Sequence, residues 1–110
     1  MTIDLRNPPI PQALLVLNGI IDFEVLARYV PNVQLVISTD GAAAQLYSQE
    51  IVPSVVIGDM DSLPKHIVGV LSKLTRIISL NDQDTTDFEK ALIFCKENGI
   101  SSFYRCLRKL

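Results

Sequence analysis

The feature that most constrains this chain is a repeated unit: a short run of apolar residues, a polar turn, and then a stretch whose apolar residues recur at helical spacing. Ala13-Leu14-Leu15-Val16-Leu17 ends at the turn pair Asn18-Gly19. Gln34-Leu35-Val36-Ile37-Ser38 ends at Asp40-Gly41, Ser54-Val55-Val56-Ile57 at Gly58-Asp59, and Arg76-Ile77-Ile78-Ser79-Leu80 at a polar loop over 81–85. Unbroken apolar runs of this length suit strands buried on both faces. Between them lie amphipathic helices. Asp22 caps one with Phe23, Leu26, Ala27 and Val30 on its inner face. An alanine-rich segment, 42–49, forms another. Ser62 and Pro64 open a third, with Ile67, Val70, Leu71 and Leu74 directed inward. Thr86 and Glu89 have capping-box spacing for a fourth, whose inner face is Phe88, Ala91, Leu92 and Cys95 and whose stop is Asn98-Gly99. The order βαβαβαβα predicts a three-layer, Rossmann-like α/β fold with a parallel sheet and helices on both faces.

The flanks are less regular. Residues 1–12 carry Pro8, Pro9 and Pro11 and read as an arm. Residues 13–99 form the domain. Residues 100–110 place charges where a buried strand should be apolar, and are compatible with an edge strand, a short helix or a tail.

Composition narrows the function. With 110 residues, 48 % hydrophobic and 20 % charged, the chain suits one folded domain. A net charge of −2, with a basic run only at Arg105-Cys106-Leu107-Arg108-Lys109, disfavours nucleic-acid binding. Two cysteines, Cys95 and Cys106, and the single His66 make neither a zinc motif nor a disulfide framework. Cys95 fits the core, and His66 and Lys90 the surface. The first residues lack a signal-peptide pattern and no run is long enough to cross a bilayer, so the expected setting is soluble and cytoplasmic.

In open parallel sheets, ligands bind beyond the carboxyl ends of the strands. Asp40, the pair Asp59 and Asp61, and the cluster from Asp82 to Asp87 all fall at such ends. In Gly58-Asp59-Met60-Asp61-Ser62, an extended backbone would project both carboxylates to one side. Like charges held close need a cation or a proton. Mg²⁺ answers that need, since it takes one or two carboxylates together with phosphate oxygens. In Asp82-Gln83-Asp84-Thr85-Thr86-Asp87, one acid near a helix start favours the macrodipole, but three exceed what capping requires. The combination predicts a metal–nucleotide ligand rather than a bare anion. Neither GxxxxGK[ST] nor GxGxxG occurs, which leaves phosphate to the metal, to helix N-termini and to the loops at Asn18-Gly19 and Asp40-Gly41-Ala42.

Asp40-Gly41-Ala42-Ala43, Gly58-Asp59-Met60-Asp61-Ser62 and Asp82-Gln83-Asp84-Thr85-Thr86-Asp87-Phe88-Glu89-Lys90-Ala91-Leu92, in that order, resemble the catalytic domain of the thiamin pyrophosphokinases over about 13–99. The resemblance implies transfer of the diphosphate of ATP to thiamine, giving thiamine diphosphate and AMP, with Mg²⁺ required. It implies Asp59, Asp61 and Asp87 as metal-binding and catalytic acids. Asn18, Gly19, Asp40, Gly41, Gln83 and Thr86 fall on the nucleotide side. The general base is Asp87 or Asp61. Family members are about twice as long and add a glycine-rich stretch and a β-sandwich that helps bind thiamine and build a homodimer; 100–110 shows no such stretch. This length predicts a chain that supplies the ATP-binding half. Two other readings compete: an incomplete domain that binds a nucleotide or packs on a partner without catalysis, and a haloacid-dehalogenase-like phosphatase using Asp59 as nucleophile, although that fold usually carries its DxD after the first strand.

Overall fold

The computed structural model describes residues 11–19, 21–61, 63–80 and 84–106. Along these, strands β1 (Ala13–Val16), β2 (Leu35–Thr39), β3 (Val55–Gly58), β4 (Arg76–Ser79) and β5 (Phe103–Cys106) alternate with helices α1 (Phe23–Tyr29), α2 (Asp40–Ser48), α3 (Lys65–Leu71) and α4 (Asp87–Glu97). The strands form one five-stranded sheet in the order β4-β3-β2-β1-β5. Every pairing is parallel.

This order decides which face each helix covers. From β1 to β4 the chain steps in one direction across the sheet, and right-handed crossovers place α1, α2 and α3 on the same face. There Leu26, Ala42 and Leu46 pack on Leu14, Val16 and Val36, while Ala43 and Leu71 pack on Val56. The step from β4 back past β1 to β5 runs the other way, so its helix lands on the opposite face. Ala91, Phe94 and Cys95 of α4 meet Ala13, Leu15, Ile37, Val55 and Ile57 there. Both faces are covered, as the pattern predicts, but unequally. Between β4 and α4 a cavity of about 270 Å³ stays open, lined by Ile57, Ile78, Leu80, Lys90, Ile93 and Phe94 among others.

Local chemistry explains most of the boundaries. The Asp22 carboxylate accepts from the N–H groups of Glu24 and Val25 and so starts α1. Thr86 starts α4: its hydroxyl accepts from Glu89 N–H at 3.2 Å and donates to the Glu89 carboxylate at 2.9 Å. The capping-box pair is present, though Glu89 takes the Thr86 hydroxyl.

Two expectations, the inner face of α3 and the place of Lys90, need correction, and one left open, the tail, is resolved. The inner face of α3 is Ile67, Val68 and Leu71, because the helix stops at Leu71; Val70 is exposed and Leu74 is 67 % exposed. The chain leaves early because Thr75 is drawn toward β3, its hydroxyl donating to the Pro53 carbonyl at 2.7 Å. Residues 103–106 of the ambiguous tail form the edge strand. An edge position tolerates Arg105, whose guanidinium lies 4.6 Å from the centre of the Phe88 ring. Tyr104, on the other face, meets Tyr29 edge-on at 5.3 Å. Lys90 does not face solvent: it is only 7 % exposed. His66 is exposed and Cys95 buried, as expected. At the other end Gln12 is bound in, its side-chain carbonyl accepting from Ser101 N–H at 2.9 Å and Ser102 N–H at 3.3 Å. The arm before residue 11 lies outside the described residues.

Candidate functional site at the carboxyl edge of the sheet

Because all strands are parallel, the loops after β1, β2 and β3 and the start of α4 share one rim of the molecule. Asp40 follows β2 directly as the first residue of α2, and Asp59 follows β3. Their side chains are hydrogen-bonded to each other. Asp40 is 5 % exposed, and its Oδ1 also accepts from Gly41 N–H at 2.9 Å. Burial pushes the Asp40 carboxyl above the usual carboxylate range, and the contact with Asp59 adds to the rise. Asp59 moves the other way. The N–H of Asp61, 3.0 Å from Asp59 Oδ1, holds it ionised, helped by Asp40 as donor and by the charge of Lys90. The two acids are thus unequal, Asp40 shifted toward its neutral form and Asp59 toward its ionised one.

Two glycines make this closeness possible. A Cβ on Gly58 would lie 2.8 Å from Asp40 Cγ, and one on Gly41 would lie 2.7 Å from Asn18 Cγ. The side chain after β1 therefore rests on the start of α2, and the side chain at the start of α2 rests on the end of β3. Gln45 adds a tie, its amide donating to the Gly19 carbonyl at 3.0 Å. Ser38 Oγ and Thr39 Oγ1, just before Asp40, are buried and find no hydrogen-bond partner among the described residues.

The structure alters the reading of the DxD segment. The backbone does not stay extended, since Met60 has φ +67° and the chain turns. Asp61 reaches Asp59 through this turn, by its N–H and by its side chain, and is otherwise exposed. Asp87 opens α4, and its charge acts on Asp40. Among the described residues no three acidic, histidine or cysteine side chains converge as a ready-made cage for an ion. The Thr86 hydroxyl is occupied by its capping bonds. Gln83, with Asp82, lies outside the described residues. Sequence reasoning assigned Asp40 to the nucleotide loop alone and missed its contact with Asp59; the Gly58 before Asp59 was the available signal. It also missed Lys90, three residues after Asp87 on the same side of α4.

An open, parallel α/β domain with an acidic rim at its carboxyl edge is the class that fold and site define. Within it the chain belongs to the family described as thiamin pyrophosphokinase, catalytic domain, whose model matches residues 26–106. Solved structures agree. The yeast thiamin pyrophosphokinase is 27 % identical with a TM-score of 0.69, over 81 % of this chain and 32 % of its own. The enzyme from Candida albicans has a TM-score of 0.70 at 21 % identity, over 89 % of this chain and 38 % of its own. That from Bacillus subtilis has 0.59 at 20 % identity, over 78 % and 42 %. At those two identities the likeness speaks for the fold alone. The chain therefore spans about a third to two-fifths of the length of these relatives. No curated protein sequence gave a significant match. Among the described residues no helix is long and apolar enough to cross a membrane.

Proposed function

We propose that this chain supplies the ATP side of a thiamin pyrophosphokinase site. The reaction transfers the terminal diphosphate of ATP to the hydroxyethyl oxygen of thiamine. The single observation that carries this reading is the direct contact of the Asp40 and Asp59 carboxyl groups at neighbouring strand ends. A fold gains no stability from pressing two acids together, so the arrangement points to a ligand that needs them.

The donor set suits Mg²⁺. Its atoms are hard carboxylate oxygens, and two or three in loose array are enough when substrate phosphates complete the shell. Asp59, Asp61 and Asp87 would hold the ion, with Asp40 beside them. When bound, it offsets the negative charge of the phosphate oxygens. The remaining roles fall to the chain. Asn18 and Gly19 after β1, and the start of the nine-residue α2, where the Asn18 side chain packs against Gly41, would face the phosphates. Asp61 or Asp87 accepts the hydroxyl proton of thiamine. The thiamine oxygen bonds to the β-phosphorus, the bond from that phosphorus to the bridging oxygen of the α-phosphate breaks, and AMP leaves with that oxygen.

Calorimetric titration with Mg-ATP, followed by an AMP-release assay with thiamine, tests this. Mg-ATP binding that Asp59→Asn abolishes, together with AMP release, is the expected result. A second reading stands beside the first: a domain that binds the nucleotide without turning it over. Binding without AMP would select it. A phospho-aspartate trapped at Asp59 would select neither, and would favour the phosphatase alternative.

A further inference from the structure

β4 pairs with β3 alone, so its other side is an open edge of the sheet. The N–H groups of Arg76 and Leu80 donate to the Ser54 and Gly58 carbonyls at 3.1 and 2.7 Å. The strand period of two then turns the N–H and C=O of Ile77 and Ser79 outward, where no backbone partner among the described residues takes them. Edge strands are commonly guarded by a proline, a bulge or an outward charge. β4 has no proline and pairs without a bulge, and its one charge, Arg76, is turned back over the Phe94 ring at 5.7 Å. Apolar side chains remain exposed here as well. Leu74 just before β4 and Leu80 just after it are 67 % and 37 % exposed, and Ile93 on α4 is 49 % exposed. Ile78, Leu80 and Ile93 line the cavity between β4 and α4, whose polar wall is Arg76, Lys90, Glu97 and Asn98.

We propose that the free edge of β4 pairs with β4 of a second copy of this chain, antiparallel about a two-fold axis through Ile78. The occupant follows from the pattern of free groups. With the two Ile78 residues opposed, Ile77 of each copy lies opposite Ser79 of the other. The four outward groups of each strand are then all used, in four hydrogen bonds, and the contact closes on itself. Arg76 falls opposite Leu80, which keeps the two arginines roughly 13 Å apart along the strand direction. An unrelated strand could match the backbone but would have to bring its own apolar face; the second copy brings Ile78 and Leu80 to the same face as the first. Two strands of this length bury on the order of 1,000 Å² with their side chains, the lower bound for a specific interface, so the dimer is weak and reversible. The two acidic rims come to lie at opposite ends of the joined sheet, and the pairing is independent of what the rim binds.

Sedimentation velocity of the full 110-residue chain, from micromolar to millimolar concentration, should show a monomer–dimer equilibrium and no larger species. Ser79→Pro removes two of the four intermolecular hydrogen bonds and none to β3, and should weaken the dimer by about tenfold or more. Cross-linking reads the register. In a Cys106→Ser background, with Cys95 buried, Ile78→Cys should form a covalent dimer on mild oxidation, because the opposed Cα atoms would lie about 4.5 Å apart. Ser79→Cys should not, since its Cα atoms would lie roughly 8 Å apart, beyond the reach of a disulfide. A wild type that stays monomeric at millimolar concentration overturns the pairing. Growth past the dimer does so too, being the mark of head-to-tail joining of β4 to β5. An unchanged dimer in Ser79→Pro, or equal cross-linking at both positions, refutes the assigned edge and register. Should one of Ser79→Pro and Ile78→Cys not fold, the other decides.

Discussion

Replacing Gly58 with alanine adds one methyl group at the point where the rim is tightest. The new carbon would lie 2.8 Å from Asp40 Cγ and 3.0 and 3.1 Å from its two oxygens. Asp40 has little room to retreat: it is 5 % exposed, begins α2, and is held by Gly41 N–H and by Asp59. Overpacking of this kind costs about 1–3 kcal/mol. The backbone adds to that, since φ at Gly58 is +156°, and a strained conformation costs on the order of 1 kcal/mol or more. A total of roughly 2–4 kcal/mol corresponds to a fall of about 10 °C or more in Tm for a domain of this size. Thermal and urea denaturation measure it directly. Gly69→Ala is the matched control: nothing lies within 4 Å of its Cβ, and it sits inside α3, where alanine should stabilise by about 0.5–1 kcal/mol. Combining Gly58→Ala with Asp40→Ala clears the obstruction, so the double variant should lose less stability than the two single losses added. A Gly58→Ala protein that melts within about 2 °C of wild type, or strict additivity in the pair, would refute the close contact and with it the geometry assigned to the rim.

Asp40→Asn should raise stability at neutral pH. The folded state raises the Asp40 pKa, so this group favours folding fully below the usual carboxylate range and loses that contribution as pH rises through the folded value. The asparagine variant escapes that loss. Its advantage in Tm should shrink as pH falls toward about 4, and an advantage independent of pH would contradict the burial argument. Thr86→Ala removes the α4 cap and should cost about 1 kcal/mol in urea denaturation, with Thr86→Ser recovering most of it. Burial raises the Cys95 thiol pKa, so in a Cys106→Ser background a disulfide reagent at pH 8 should label Cys95 only after denaturant is added. Rapid labelling of the native protein would show that α4 opens readily from the sheet.

The sequence by itself determined the alternation of strands and helices. Each element has a local signal: apolar runs at Leu14-Leu15-Val16 and Val55-Val56-Ile57 suit interior strands, and Asp22 and Thr86 start helices whose apolar residues recur every three or four positions. It also determined that acids gather at strand ends, because those turns follow the strands directly in the chain. What it left open depends on distance through space. The 4-3-2-1-5 strand order sends α4 alone to one face, leaves the cavity beside β4 and gives residues 103–106 their edge position, and no local pattern encodes it. The turn at Met60, the nesting of Asp40 over Gly58 and the burial of Lys90 likewise arise only once β2, β3 and α4 are brought together. Local propensity is a property of neighbouring residues along the chain, whereas the pairing of Asp40 with Asp59 and the burial of Lys90 are consequences of which elements lie next to each other.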